Sequence, residues 1–133
     1  MDTKAVRNMV RVGIVSEVLP SDCAARVVFE EKDNTTSPVL PVLTRGGKVN
    51  RDFWLPDIGE QVVCLFACND KNFSTGWILG AHYKAGAGNA DSVDKRRIDF
   101  SDGSFVEFDR ATGGLTIQCT GDIVVNGRTI SLN

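Results

Sequence analysis

Short stretches in which apolar and polar residues alternate recur along the whole sequence. Five of them lie in the first part of the chain, at residues 10–19, 24–31, 38–44, 61–68 and 76–83. The fourth, QVVCLFAC, is continuously apolar, which is typical of a strand buried on both faces. No useful 3.6-residue periodicity appears anywhere, so the pattern predicts an all-β fold with little helix.

The spacing of these five stretches indicates how they are arranged. All five lie within residues 1–84, and one long polar connection precedes the fourth stretch. Such an order suits a small closed barrel of the OB type, which leaves no strand edge exposed. The following residues, 85–95, are rich in Gly, Ala and Asp with almost no large apolar side chain, and we interpret them as a linker.

Residues 96–133 have a different pattern. Pairs of apolar residues, the two members of each pair two positions apart, alternate with turn residues. Asp102-Gly103, residues 112–114, residues 120–122 and Asn126-Gly127 contain the residues that favour tight hairpin turns. Residues two apart project from one face of a strand. The apolar set is Ile98, Phe100, Val106, Phe108, Leu115, Ile117, Ile123, Val125, Ile130 and Leu132.

This tail is too short to cover its own apolar face. A meander with one uncovered face does not offset the entropy of ordering its backbone. The tail must therefore dock on the barrel or associate with copies of itself, and the pattern alone leaves both possibilities open.

Composition and charge limit the function. The chain has 133 residues, 42% of them hydrophobic, and a net charge of −2, which argues against a partner held mainly through phosphates. No apolar run reaches the roughly 18 residues of a membrane-spanning helix. The start, MDTKAVRNMV, lacks the features of a secretory signal, so we expect the protein to be made and folded in a cytoplasm.

The four cysteines are expected to be reduced and packed as small hydrophobes. Cys64 and Cys68 would lie on one face of a strand roughly 13 Å apart, too far for a disulfide or a shared zinc ion. Cys23 and Cys119 have no cysteine near them in sequence.

Three segments together resemble one family. WLPDIGEQVVCLF (54–66), GWILGAHY (76–83) and KRRIDFSDGSFVEFDRATGGLTI (95–117) are similar to phage baseplate assembly protein V. That family comprises the central spikes of contractile tails and is related to the valine-glycine repeat spikes of type VI secretion. The resemblance covers roughly residues 10–130.

The resemblance implies an OB barrel followed by a short needle, a β-helix or β-prism in which three chains intertwine. The ten apolar tail residues would then form the trimer interface, with polar alternates such as Asp99, Glu107, Asp109, Gln118 and Arg128 facing solvent. The implied protein is a structural homotrimer in the baseplate of a contractile phage tail or phage-like particle. It would be synthesised and assembled in the bacterial cytoplasm, plug the tail tube and help to pierce the cell envelope. Its implied partners are hub and tube proteins, a separate tip protein and the target envelope, with no nucleic acid.

The chain departs from fuller members of the family at the tip. Their needles can end in a metal site built on an H-x-H pair, whereas His82 is the only histidine in this sequence. No metal site or cofactor is therefore carried over. We expect His82 to be a barrel or interface residue rather than a catalytic base, because no nucleophile is recognisably paired with it.

Other candidate residues have competing interpretations. Arg45, Lys48 and Arg51, in the loop TRGGKVNR, could contact the tail hub or form a solvated hairpin loop. For the WLPD motif we favour a structural role over a ligand pocket. In that role Trp54 packs, a turn forms at Pro56 and Gly59, and Asp57 or Glu60 caps exposed amides.

Catalysis is not expected. Asp99, Glu107 and Asp109 could be imagined as a glycosidase carboxylate pair. However, the linker leaves no room for the lysozyme domain that some spikes carry between barrel and needle.

The alternative function is an OB-type binding module for nucleic acid or another protein, with the tail docked on the barrel. Single-strand binding uses a basic groove with aromatic platforms. The barrel region offers aromatic residues but no concentration of Arg and Lys among them. Those aromatic residues are Phe29, Phe53, Trp54, Phe66, Phe73, Trp77 and Tyr83.

Overall fold

The computed structural model describes residues 3, 6, 8–67 and 74–133. The chain divides into two compact units, Met1–Lys84 and Ala85–Asn133. Cys68 and Phe73, named above among the cysteines and the aromatic residues, lie outside the described residues. No helix among the described residues is long and apolar enough to cross a membrane.

The first unit is built from strands, which confirms the all-β prediction. Each of the five stretches expected from alternation contains one strand. Among the described residues, one-turn 3-10 helices span Pro20–Asp22 and Glu30–Lys32. A further two-residue strand lies in the polar segment KDNTTS (32–37), between the second and third stretches, where the pattern predicts a loop. The strands are β1 Val10–Leu19, β2 Ala24–Phe29, β3 Thr35–Thr36, β4 Leu40–Pro41, β5 Gln61–Phe66 and β6 Gly76–Ala81.

These strands form one antiparallel sheet in the order β3-β2-β1-β5-β6, with β4 also paired to β2. Directly after β4, Val42 forms a parallel bridge with Ile78 of β6. The amide of Leu43 donates to the carbonyl of Ile78 at 3.0 Å. The chain after β4 therefore connects β2, on one side, to β6, at the other end of the strand order.

The core of the first unit follows from the alternation of its strands. Its large buried side chains include Val15, Val27, Phe29, Val62, Cys64, Phe66, Leu40 and Ile78. The rings of Phe29 and Phe66 meet edge to face with centroids 5.9 Å apart. The guanidinium of Arg11 lies over both rings, 5.3 and 5.0 Å from their centroids. Burial raises the pKa of the Cys64 thiol to about 11, so this cysteine behaves as a packed hydrophobe, as expected.

The second unit is a three-stranded antiparallel meander, β7 Lys95–Asp99, β8 Phe105–Asp109 and β9 Gly114–Gln118, with β8 in the middle. The glycines in the turns between its strands have a positive φ: Gly103 at 93° and Gly113 at 75°. Both were predicted as turn positions from their dipeptides. Residues with side chains rarely adopt this conformation, so these glycines set where the hairpins reverse.

Beyond β9 the prediction of further strands was wrong for the single chain. Residues 119–133 contain no strand, and neither Gly121 nor Gly127 has a positive φ. A strand is stable only when its backbone groups pair with a neighbour. Alternation at Ile123 and Val125 specifies which face is apolar, but it does not supply that neighbour.

Candidate functional site

The strand register places apolar side chains of all three strands of the second unit on one face. Ile98 is opposite Val106, which in turn is opposite Ile117. Phe108 is opposite Leu115. Directly opposed residues of antiparallel strands share a face, so these five side chains form one continuous surface, which we call the apolar face.

The apolar face is exposed in the single chain. All ten tail residues expected at an interface are exposed, from Val106 at 36% to Leu132 at 91%. Exposed apolar surface of this extent is typical of an interaction site. The trimer contact of these residues stays a prediction.

The opposite face of the same sheet is polar and satisfies its own charges. Arg97 donates to Asp99 at 2.9 Å and to Glu107 at 2.8 Å, and its guanidinium lies 3.9 Å from the centroid of Phe105. These bonds, the one to Glu107 first, raise the pKa of Arg97. Arg97 and Glu107 are half-buried, whereas the side chains of the apolar face are exposed. This is the opposite of the usual distribution in a monomer, in which apolar side chains are buried and charged ones are exposed.

One charged residue lies on the apolar face and was not anticipated. Arg96 is opposite Phe108 in the register. Its Nη1 donates to the carbonyls of Val93 at 2.7 Å and Lys95 at 3.0 Å. The guanidinium is thereby held at the start of β7, and the apolar face ends there.

A second feature missed from sequence fixes the exit from β9. Asp102, in the turn between β7 and β8, accepts hydrogen bonds from the Thr120 hydroxyl at 2.6 Å and the Ser104 amide at 2.9 Å. The Thr120 amide donates to the Ser104 hydroxyl at 3.2 Å. The Thr120 bond and then the Ser104 bonds lower the pKa of Asp102 to about 2. We call these three residues the Asp102 clamp.

The predicted hub-contact residues lie on an exposed loop of the first unit. Arg45 donates to Asp52 through its Nε at 2.7 Å and through its backbone amide at 3.2 Å. The side-chain bond is the larger cause of a lowered Asp52 pKa. A bridge between Gly47 and Arg51 closes the tip. The structure thus gives residues 44–52, the basic loop, a defined shape, and its contact with a hub stays a prediction.

The WLPD motif has the turn and cap that were expected, but its tryptophan differs. Gly59 has a φ of 93°, and Glu60 Oε1 accepts a hydrogen bond from the Asp57 amide at 3.0 Å. Pro56 is buried. Trp54 is 60% exposed and lines a shallow apolar groove with Leu79. The expectation that Trp54 packs is therefore met only in part, because most of its side chain is exposed at the surface of the first unit.

The remaining candidates are dispersed. His82 follows the end of β6, where it is exposed and its Nδ1 lies 3.0 Å from the carbonyl of Tyr83. Cys119 is exposed, so the expectation that it is packed was wrong, whereas Cys23 is half-buried. Across the described parts of the chain, no three His, Cys, Asp or Glu side chains are grouped to hold a metal ion.

Comparison with known proteins gives one informative relative. No protein-family model matches the chain. The spike protein of Escherichia phage P2 is 30% identical to it over 116 residues, which is 86% of this chain and 53% of that protein. The chain thus spans about half the length of this curated relative. The match confirms the resemblance to phage spike proteins that the motifs predicted.

Proposed function

We propose that this relative of a phage spike protein is the central spike of a contractile phage tail or phage-like particle. In this proposal three copies associate through residues 96–133, plug the end of the tail tube and help to pierce the target envelope. Its role is structural and mechanical, without catalysis.

The observation that carries this proposal is the exposed apolar face. Within one chain, Ile98, Val106 and Ile117 form a continuous apolar row, while the salt-bridged side chains lie on the other face. Three such sheets placed around an axis would turn these rows toward one another. Pairing between chains would also occupy the free edges of β7 and β9, which are open among the described residues.

Residues 119–133 fit the same arrangement. They carry four of the ten apolar residues, Ile123, Val125, Ile130 and Leu132, and have no strand partner among the described residues of their own chain. Strands of neighbouring copies would provide the backbone partners. In this proposal the segment completes an intertwined needle only in the trimer.

An OB barrel is our proposal for the first unit. Its support is the pairing order, in which β1 lies between β2 and β5, and β5 pairs β6. The parallel bridge between Val42, which directly follows β4, and Ile78 of β6 joins the two sides of the sheet. A small five-stranded barrel needs such a parallel contact to close.

The partners are those of a spike: other baseplate and tube proteins, a separate tip protein and the target envelope. The relative's name supports a place in the virion tail. No specific observation favours the nucleic-acid-binding alternative, since two of its candidate platforms, Phe29 and Phe66, are core residues.

Particle stoichiometry tests this role. Quantitative mass spectrometry of purified tails from the source of the chain should find three copies per tail, and antibody labelling should place them at the end of the tube. Labelling along the sheath, or a copy number that is not three per tail, would contradict the proposal.

A further inference from the structure

The outer surface of the first unit carries a second apolar area. Along β1, Gly13 and Val15 are buried, so Val12 and Ile14 project from the outer face. Ile14 is opposite Val28 of β2, which places that side chain beside it. Val12 is 38% exposed, and Ile14 and Val28 are half-buried. An outer barrel face of this kind is normally polar.

Two carboxylates border this area. Val12, Ile14 and Val28 line a groove together with Glu30 and Glu31, which belong to the one-turn helix that follows β2. Both glutamates are exposed, and neither forms an ion pair with any residue that the structure describes. Gln61, opposite Ile14 on β5, also lines this groove. The groove, which we call the acidic groove, thus has a mainly apolar floor and a negative rim.

The basic loop has the complementary chemistry. Val49 at its tip is 84% exposed, and Lys48 and Arg51 flank it on either side. Neither Lys48 nor Arg51 pairs with a carboxylate within the described ranges. The ion pair between Arg45 and Asp52 and the bridge between Gly47 and Arg51 hold the loop in shape before any contact is made.

We propose that the basic loop of one copy docks in the acidic groove of a second copy. Val49 packs against the apolar floor while Lys48 and Arg51 face Glu30 and Glu31. Charge complementarity selects this occupant, because one chain carries both an unpaired negative rim around apolar residues and an unpaired positive rim around an apolar tip. This inference rests on the proposed trimer, and it assigns the basic loop to a neighbouring copy instead of the hub.

The contact joins two different surfaces, so it is heterologous. A heterologous contact that repeats with three-fold rotation closes into a ring in which every loop and every groove is occupied. It would fix the first units of the three copies relative to one another. Its energy is modest because its charges lie at a solvated rim.

Zero-length crosslinking with complementary variants of the full chain tests this contact. Carbodiimide couples a lysine amine directly to a carboxylate. One variant, Lys48→Arg, keeps the charge but cannot react, and the other, Glu30→Gln with Glu31→Gln, removes the carboxylates. When the two are co-expressed, a link at these positions can form only between Lys48 of one chain and Glu30 or Glu31 of another.

The co-expressed sample should contain the Lys48–Glu30 or Lys48–Glu31 peptide, and each variant alone should lack it. Replacing Arg51 by Glu in both chains leaves the Lys48 amine able to react, and it should lower the yield of this link because a carboxylate would then face Glu30 and Glu31. A sample that has the mass of a trimer but no such peptide overturns this contact, leaves the proposed spike intact and returns the loop to the hub. A sample with the mass of one chain overturns both.

Discussion

At the scale of single residues, the informative contacts join positions far apart in sequence. The Asp102 clamp links residues 18 positions apart, and Arg97 of β7 bonds to Glu107 on the neighbouring strand β8. Alternation gave the correct face for Ile98 and Val106, because that property depends only on neighbouring positions. It could not reveal the clamp or the placement of Arg96, because both depend on the register between strands.

The clamp gives a prediction with a definite pH dependence. The pKa of Asp102 is about 2 in the folded chain, below the ordinary value of 3.8. Its stabilising effect is therefore complete above about pH 4 and is lost as the pH falls toward 2. Asp102→Asn should lower the melting temperature at pH 6 and approach the wild type near pH 2.

A nearby carboxylate provides the control for this measurement. Asp122 is exposed and lies close to the clamp in sequence, but its side chain forms no hydrogen bond that the described structure shows. Asp122→Asn should leave the melting temperature unchanged at both pH values. Equal effects of the two variants would show that the clamp contributes nothing specific.

At the scale of elements, the sequence predicts strands well where they pair within the chain. The alternation at residues 10–19 coincides with β1, and the turns at Gly103 and Gly113 fall where their dipeptides placed them. β3 was missed because two threonines carry no apolar pattern. The strands expected after residue 118 are absent because a single chain offers them no partner.

The two faces of the C-terminal sheet can be distinguished by substitution. Ile117 lies on the apolar face and its neighbour Gln118 on the polar face. Ile117→Asp should abolish association, because three carboxylates would meet in the interface at a cost of several kcal/mol per buried charge. Gln118→Asp is the matched control and should associate like the wild type in sedimentation velocity. If both variants dissociate, or neither does, the assignment of Ile117 to an interface and of Gln118 to the opposite face is wrong.

The division into two units gives another prediction at this scale. The first unit has its own core, including Phe29, Phe66 and Ile78, and ends at Lys84. Residues 1–84 alone should therefore fold with a β-type circular dichroism spectrum and remain monomeric at micromolar concentration, because the rim contact between loop and groove is weak by itself. An unfolded product, or a trimeric one, would contradict the assignment of assembly to residues 96–133.

At the scale of the whole molecule, the sheet of the second unit has two contrasting faces. The charged side chains of its polar face form ion pairs with one another, whereas the side chains of its apolar face are exposed to water. The proposed role as a phage tail spike, which the similarity to a phage spike protein supports, would explain this contrast. In that proposal the spike transmits force along an axis, and three copies that share an apolar interior would form a stiffer element than one exposed meander. The central claim is therefore that the functional molecule is a trimer.

The solution mass of the full chain tests that claim most directly. Size-exclusion chromatography with multi-angle light scattering, at micromolar concentration and neutral pH, should give about 43 kDa, three times the 14.4 kDa of one chain. A single species of 14.4 kDa would contradict the account, since the apolar face would then be stable in water without a partner.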